Sequence, residues 1–334
     1  MTIPATSFIV TCCNLGAYLN EALGSLLAQT AQDFEVVVVN DGSTDGVTCR
    51  LLADLNRPRT RVIHSERRGL PGARNFGVRH AEGRYLCMVD ADDLLEPTYL
   101  ERSLQALESR PDVAFASHWL RAFGDEAWDW TPTDCGFPAL LHANTVNGAA
   151  LLRREVFERV GGFDESMVEG CEDWEFWIRV VGSGFKGVIL PEFLFRYRRR
   201  LDSMSRTMHA MPGMPALYRQ LVERHPDTFK AHLLELLWKR DEGIAFLSRN
   251  DWLLSTEWTA ELQGERQWSL DNDEENRARA TAADQAQRLH DTEDEVHRLH
   301  AALSREEGLN RALRASWSWR LTSPLRALVG WVRR

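Results

Sequence analysis

The feature that most constrains the fold is an alternation of short apolar runs and helical patterns over roughly the first 115 residues. The apolar runs predict strands at residues 7–11, 34–39, 61–64, 84–89 and 113–116. The segments between them predict helices at residues 17–29, 47–55, 70–80 and 98–109. This order predicts an α/β fold with a parallel, doubly wound sheet, in which ligands bind at the carboxyl ends of the strands.

Polar side chains follow three of the predicted strands. Asn14 comes after the first, Asp41 and Ser43 end or follow the second, and an acidic cluster follows the fourth. Because the carboxyl ends of parallel strands meet at one edge of a sheet, these side chains are expected to converge on one rim.

The acidic cluster consists of Asp90, Asp92 and Asp93, three carboxylates within four positions. Carboxylates crowded at the end of a buried strand repel one another and lose hydration, which a divalent cation can offset. Oxygen-only ligands suit Mg²⁺ or Mn²⁺. The alternative is a solvated acidic turn that caps the next helix.

Two further segments carry candidate functional residues. Residues 69–77 open a helix whose free N–H groups, together with Arg74, could hold a diphosphate, although an ordinary helix start has the same composition. Glu172 and Asp173 stand beside tryptophans at the start of another predicted helix, 172–182. They either cap that helix or include a desolvated general base for a sugar hydroxyl.

After residue 116 the alternation is less regular. Residues 123–147 show no consistent period, residues 153–160 predict a helix, and residues 188–190 and 194–197 predict two short strands.

Composition excludes several classes of protein. The formal net charge of the 334-residue chain is −9, which argues against general nucleic-acid binding. The six cysteines form no CxxC pair, as expected of reduced thiols in a cytosolic protein. The first residues do not resemble a signal peptide, and no uncharged apolar run approaches the roughly 18 residues that span a bilayer.

The C-terminal part divides into three predicted segments. Residues 207–270 are helical and rich in Trp, and we expect a small packing unit there. Residues 271–315 carry a weak heptad in which Leu289, Val296 and Leu303 lie seven apart, so this segment is either a short coiled coil that joins copies of the chain or a single solvated helix.

The last segment, 316–334, is basic and amphipathic. From residue 308 onward there are six arginines and no acidic residue, and Ser323-Pro324 starts a predicted helix with Leu325 and Leu328 on one face. Such a helix with Trp anchors predicts contact with an anionic membrane surface, or else docking on the protein's own core.

Seven short motifs in a fixed order resemble the family 2 glycosyltransferases of the bacterial surface-polysaccharide type. They extend over residues 7–205 and comprise Asn14 after the first strand, Asp41-Gly42-Ser43, Ala73-Arg74-Asn75-Phe76-Gly77, the D-x-D motif Asp90-Ala91-Asp92, Gly161-Gly162-Phe163-Asp164, Glu172-Asp173-Trp174 and Tyr197-Arg198 with Ser203-Met204-Ser205.

The resemblance implies the GT-A fold, which is Rossmann-like with a mostly parallel sheet and flanking helices, here followed by a C-terminal helical extension. The expected divisions are a glycosyltransferase domain at 1–206, the helical extension at 207–270, the heptad segment at 271–315 and the basic tail at 316–334.

The resemblance also implies an activity. The expected enzyme is an inverting glycosyltransferase that moves a sugar from a nucleotide-diphosphate donor to a glycan or lipid-linked acceptor, with Mn²⁺ or Mg²⁺. It would serve cell-surface polysaccharide synthesis as a peripheral protein at the cytoplasmic face of the membrane. A nucleotidyltransferase is one alternative, although residues 12–18 lack the basic residue such an enzyme needs. An inactive sugar-nucleotide-binding scaffold is the other.

Roles in donor binding follow from the resemblance. Thr11 and Asp41 would contact the nucleotide base, and Arg74 would support the nucleotide. Asp90 would lie by the ribose and the metal, and Asp92 would bind the metal directly.

The remaining roles are also implied by the resemblance. Asp173 would deprotonate the acceptor hydroxyl, and Glu172 would share the catalytic site. Asn14, Ser43 and Arg198 would belong to the donor site.

Two departures from the family pattern are visible. Thr11 and Cys13 stand where the family usually has proline and an aromatic residue. Arg199 and Arg200 follow the Tyr-Arg pair where many members carry a histidine, so either the metal has fewer protein ligands or arginine neutralises the diphosphate directly. His209 is a further candidate ligand, or a solvated histidine.

Overall fold

The structure, a computed structural model, describes residues 4–201, 203 and 213–239. The described residues up to Leu236 form one compact unit. His209, the heptad segment and the basic tail lie outside the described residues, so the predictions made for them stay predictions.

The first half of the unit has the predicted alternation. Its elements are β1 (Thr6–Cys12), α1 (Gly16–Leu27), β2 (Phe34–Asp41), α2 (Gly46–Ala53), β3 (Thr60–Ser65), α3 (Gly69–His80) and β4 (Tyr85–Asp90). Strand β1 lies between β2 and β4, β3 pairs with β2, and all three pairings are parallel. The near-continuous apolar runs of these strands suit a sheet that is buried on both faces.

The second half completes a nine-stranded mixed sheet. Its elements are β5 (Leu94–Leu95), α4 (Tyr99–Glu108), β6 (Val113–Gly124), β7 (Asp129–Trp130), α5 (Ala139–His142), β8 (Leu151–Arg153), α6 (Arg154–Val160), α7 (Glu172–Gly182) and β9 (Lys186–Arg199). The strand order is β3-β2-β1-β4-β8-β6-β9-β5, with β7 paired to β6.

Strand β8 is a difference from the sequence prediction. It runs antiparallel to both β4 and β6 and therefore separates them. Three residues are too few to show a period, and the strand lies directly before a helix, so no pattern in the sequence indicates it. The predicted parallel pairing is present in the neighbouring strands β3, β2, β1 and β4, and it is interrupted at β8.

Strand β9 replaces the two short strands predicted at residues 188–190 and 194–197. It runs parallel to β6, and its register shifts where Leu190 pairs with His118 and Phe193 with Trp119. The shift omits Pro191, which has no N–H for the ladder. A bulge at the proline thus lets one long strand pass through a position that interrupts the sequence pattern.

Close packing fixes helix α3 on the sheet. A Cβ atom at Gly77 would lie 2.4 Å from Cγ2 of Ile9 and 2.9 Å from Cγ2 of Val39. A glycine is therefore required where α3 crosses β1 and β2. Arg74 lies one turn earlier on the same helix and reaches the strand ends.

Two helices follow β9, α8 (Gly213–Arg224) and α9 (Pro226–Ala231). The Tyr218 ring packs 5.6 Å from Trp174 of α7, and its hydroxyl donates to the Leu141 carbonyl at 3.0 Å. His225 lies 3.0 Å from a carboxylate oxygen of Glu175. The described part of the helical extension thus packs on the helix that carries Glu172 and Asp173, while the domain boundaries stay predictions.

Over the described ranges, no helix combines the length and the apolar composition that a bilayer crossing requires.

Candidate active site

The carboxyl ends of β1, β2 and β4 lie side by side. Thr11 is paired with Asp90 in the β1–β4 register, and its hydroxyl donates to Asp90 Oδ1 at 2.9 Å. On the other side Thr11 pairs with Val39, two positions before Asp41. The sheet register therefore brings three of the predicted site residues to one edge.

Asn14 and Ser43 hold two strand ends together. The Asn14 backbone N–H donates to Ser43 Oγ at 3.1 Å, and the side-chain oxygen Oδ1 of Asn14 accepts from the Thr44 N–H at 2.8 Å. Asn14 has a φ of +57°, a left-handed conformation that asparagine tolerates better than most residues. These hydrogen bonds stay within the protein and shape the rim.

Asp41 lies at the start of α3. One of its oxygens accepts from the Arg68 N–H at 2.6 Å and the other from the Gly69 N–H at 3.1 Å. The carboxylate is 5% exposed and satisfies two of the free N–H groups of the helix. A nucleotide base would have to share this carboxylate with the helix.

Arg74 joins two acidic segments. It is buried, and its guanidinium donates to Glu172 Oε1 at 2.6 Å and to Asp90 Oδ1 at 3.2 Å. Its charge also lies 5.4 Å from the Phe163 ring centre. Burial works against the charged guanidinium, but the surrounding carboxylates, Asp90 first, outweigh it and raise the pKa of Arg74.

The chain turns sharply into α7, which carries the second acidic segment. Gly170 and Cys171 have φ angles of +119° and +61°, so the residue before the helix is a non-glycine in the left-handed region. Glu172 and Asp173 then occupy the first turn, where the helix dipole favours negative charge.

The two carboxylates differ in environment. Burial raises the pKa of the Glu172 carboxyl to about 7; Arg74 opposes this increase, and Asp173 adds to it. Burial also raises the pKa of Asp173, and Arg74 again opposes it. One Asp173 oxygen accepts from the Trp174 N–H at 2.7 Å and the other from Asn144 at 3.2 Å, while the N-cap residue of the helix is Cys171.

A small residue borders this group. A Cβ atom at Gly148 would lie 3.5 Å from Arg74 Nη2 and 3.7 Å from Asp173 Oδ2. Asn144 lies in the stretch without a period and Gly148 directly follows that stretch, and sequence reasoning missed both. No signal in that stretch distinguishes them from other loop residues.

The acidic cluster does not cap the next helix, because α4 begins at Tyr99 and its N-cap is Thr98. Instead, the cluster binds the end of β9. Asp93 Oδ1 accepts from the Arg198 N–H at 2.7 Å, and Asp92 Oδ2 lies 2.9 Å from Arg200 Nε.

The charges of the cluster are only partly compensated. Burial is the largest cause that raises the pKa of Asp92, and the charge of Asp90 is the second. Arg200 opposes this increase without cancelling it. Burial raises the pKa of Asp93 well above its usual value. Within the described part of the chain, no three or more His, Cys, Asp or Glu side chains are placed to hold a metal ion together.

Two family models match the chain. One, described as glycosyl transferase family 2, covers residues 7–161, and the other, described as glycosyltransferase like family 2, covers residues 139–258. The uncharacterized glycosyltransferase EpsJ of Bacillus subtilis is 27% identical over 247 residues, which cover 67% of this chain and 68% of EpsJ. Matches to four of the curated relatives cover 35% to 68% of their lengths.

Two solved structures share the fold. S. aureus TarS 1–349 in complex with UDP-GlcNAc has a TM-score of 0.55 at 19% identity, over 65% of this chain and 64% of that one. The mannosyltransferase PcManGT from Pyrobaculum calidifontis, in complex with GDP-Man and Mn²⁺, has a TM-score of 0.53 at 22% identity, over 81% of both chains. Such low identities show a common fold and nothing finer.

The GT-A fold predicted from the motifs is thereby confirmed. The two family models adjoin and overlap, and together they extend from residue 7 to residue 258. Residues 7–258 of the chain therefore belong to glycosyl transferase family 2, and the chain is similar to bacterial glycosyltransferases.

Proposed function

We propose that the enzyme transfers a sugar, with inversion, from a nucleotide-diphosphate donor bound at the ends of β1, β2 and β4. One observation carries the proposal: Arg74 contacts both Asp90, at a strand end, and Glu172, beside Asp173 at the start of α7. A single buried guanidinium thus connects the donor side of the site with the helix of the candidate base. Transfer with inversion needs the departing diphosphate and the base on opposite sides of the reacting carbon.

The donor would lie along the rim formed by Thr11, Asp41 and Asp90. Complexes of the two fold relatives contain UDP-GlcNAc and GDP-Man, which supports a nucleotide sugar as the donor. Arg74 Nε is buried and has no acceptor among the described residues, so a donor N–H is left for a ligand near the strand ends. Arg198 would contribute positive charge from β9.

A divalent cation fits the residues present. Asp90 and Asp92 offer oxygen ligands only, which suits Mn²⁺ or Mg²⁺, and the oxygens of the donor diphosphate would complete the set. The complex of PcManGT contains Mn²⁺. A bound cation would offset the negative charge that develops on the departing diphosphate.

Asp173 would act as the base. Its carboxylate is partly exposed, whereas Glu172 is 5% exposed and paired with Arg74. Glu172 would therefore act through Arg74, and Asp173 would take the proton from the acceptor hydroxyl. The absence of a side chain at Gly148 leaves room beside Asp173 for that hydroxyl.

The cellular setting is part of the proposal. The acceptor would be a glycan or a lipid-linked sugar, in the synthesis of a cell-surface polysaccharide. The basic tail, 316–334, would hold the enzyme at the cytoplasmic face of the membrane, and the segment 271–315 would join copies of the chain.

Asp173→Asn tests the assignment of the base. We expect sugar transfer to fall about a thousandfold, because general-base catalysis is worth roughly a hundred- to ten-thousandfold, while donor binding persists. A thermal-shift screen of nucleotide sugars with Mn²⁺ identifies the donor and measures its binding. Release of nucleoside diphosphate in the presence of membrane lipid extract measures transfer.

The matched control is Asp129→Asn, which removes an exposed carboxylate that pairs with Arg121. This control should keep full activity. Loss of donor binding in Asp173→Asn would assign the residue a structural role, and normal turnover would refute the proposed mechanism.

A further inference from the structure

The end of strand β9 places an arginine on the proposed metal ligand Asp92. Arg200 Nε lies 2.9 Å from Asp92 Oδ2, and the two side chains are 18% and 11% exposed. Arg198 binds the same segment, with its N–H on Asp93 Oδ1 and its Nε on the Asp92 carbonyl. A guanidinium therefore already occupies one of the carboxylate oxygens at which a cation would bind.

Helix α1 provides a second set of contacts for Arg198 and Arg200. The charge centres of Arg198 and Arg200 lie 5.0 Å and 5.3 Å from the centre of the Tyr18 ring. Glu21, one turn further along the helix, pairs with Arg198. Contact with an aromatic face favours a guanidinium whether or not a carboxylate is also present. Arg200 thus keeps a favourable position when it leaves Asp92.

A guanidinium and a divalent cation compete for the same oxygen of Asp92, because their positive charges repel each other at so short a distance. A divalent cation that binds through this oxygen pushes the guanidinium away, and the separation of a partly buried ion pair has a cost. The donor diphosphate arrives with the cation and carries negative charge, for which a planar guanidinium is a suitable partner. The displaced arginine therefore has a new partner close to its old one.

We propose that Arg200 is the resident counter-ion of Asp92. When the divalent cation binds to this carboxylate, Arg200 leaves it and pairs with the diphosphate of the nucleotide. The inference rests on the proposed cation site at Asp90 and Asp92. Arg200 lowers the affinity for the cation alone and raises the affinity for the nucleoside diphosphate that comes with it. The enzyme consequently favours the cation and the nucleotide together over the cation by itself.

Opposite effects on two affinities follow when Arg200 is replaced by an uncharged residue. The acidic cluster becomes more negative by one charge and gains an open oxygen, so Mn²⁺ alone should bind about three- to tenfold more tightly. The nucleoside diphosphate loses a charge-assisted hydrogen bond, so its binding at saturating Mn²⁺ should weaken about tenfold. A residue that only supports the fold would weaken both.

The experiment uses the full chain with Arg200→Gln. Calorimetry or electron paramagnetic resonance measures Mn²⁺ binding without nucleotide, and titrations with UDP and with GDP at saturating Mn²⁺ measure the second affinity. Arg196→Gln is the matched control, because Arg196 lies on the same strand over Phe123 and is exposed. Both affinities should stay at the wild-type values in this control.

Asp92→Asn separates the inference from the cation site on which it rests. If Mn²⁺ binding requires Asp92 but is unchanged or weaker in Arg200→Gln, the counter-ion role is overturned and the cation site stands. If neither the wild type nor Arg200→Gln binds Mn²⁺, both are overturned. Should Arg200→Gln fail to fold, Arg200→Lys keeps the charge without the planar fork, and a diphosphate affinity equal to that of the wild type would also overturn the role.

Discussion

Arg74 is the single residue on which the geometry of the site depends most. Its partners lie 16 and 98 positions away in the chain, at the end of β4 and at the start of α7. A buried guanidinium can keep its charge only with such partners, because an unpaired charge in the interior is costly. Arg74 therefore links the strand ends directly to the helix that carries the candidate base.

Asn144→Ala tests how the base itself is held. Asn144 donates to Asp173 Oδ2 at 3.2 Å, and this hydrogen bond lowers the pKa of Asp173 against the larger effect of burial. Without it the pKa of Asp173 rises further, and a larger fraction of the base is protonated at acidic pH. We expect kcat/KM to fall about tenfold at pH 6 and less at pH 8, which a pH–rate profile measures.

The control for this substitution is Asn20→Ala, which removes an exposed amide that contacts Arg57. The control should keep the wild-type pH profile. If the acid limb of the pH–rate profile lies at the same pH in Asn144→Ala as in the wild type, Asn144 does not act on the base.

At the scale of elements, β6 carries a buried histidine whose charge state depends on the fold. The ring of His118 stands edge-on to Tyr99, with 4.8 Å between the ring centres, and burial lowers the pKa of His118 to about 4. As the pH falls, His118 of the unfolded chain takes up a proton near pH 6.5, whereas His118 of the folded chain stays neutral until about pH 4. Stability is therefore unaffected above pH 6.5 and falls as the pH drops from there toward 4.

His118→Gln, which does not titrate, measures this effect. Between pH 7.5 and pH 5 the wild type should lose about 2 kcal/mol more of its free energy of unfolding than the variant, and urea unfolding at both pH values shows this difference. His80→Gln changes an exposed histidine and should follow the wild type. Equal losses in wild type and His118→Gln would mean that His118 is charged in the folded protein.

Regular elements could be predicted where the sequence repeats a pattern. Apart from the two-residue strand β5, which was not predicted, the strands and helices from β1 to α4 lie within two residues of the predicted bounds, because long apolar runs and amphipathic helices carry a period. Strand β8 and the bulge at Pro191 carry none, since their conformation is fixed by neighbours on the sheet. The same holds for Asn144 and Gly148 in the candidate site.

At the level of the whole molecule, helices α8 and α9 pack on α7. Tyr218 packs on Trp174, and Glu175 accepts hydrogen bonds from Arg179 and contacts His225. Residues that follow the motif-bearing part of the chain thus contribute to holding the helix of the candidate base.

Deletion of residues 316–334 tests the membrane role of the basic tail. We expect the full chain to sediment with vesicles of anionic lipid and the shortened chain to stay in the supernatant, because the four arginines and three tryptophans of residues 316–334 favour an anionic interface. Vesicles of neutral lipid serve as the control and should retain little of either chain. Sedimentation that survives the deletion would assign membrane contact, if any, to another part of the protein.

The family resemblance, the α/β alternation and the residues gathered at the strand ends could all be read from the amino-acid sequence, because a strand's period and the order of short motifs are local properties of the chain. The pairing of the charges, in contrast, is visible in the folded protein alone. Arg74 joins Asp90 to Glu172, and Arg200 reaches Asp92 from 108 positions away. Such pairings depend on which strands become neighbours in the sheet, and no local pattern encodes that order.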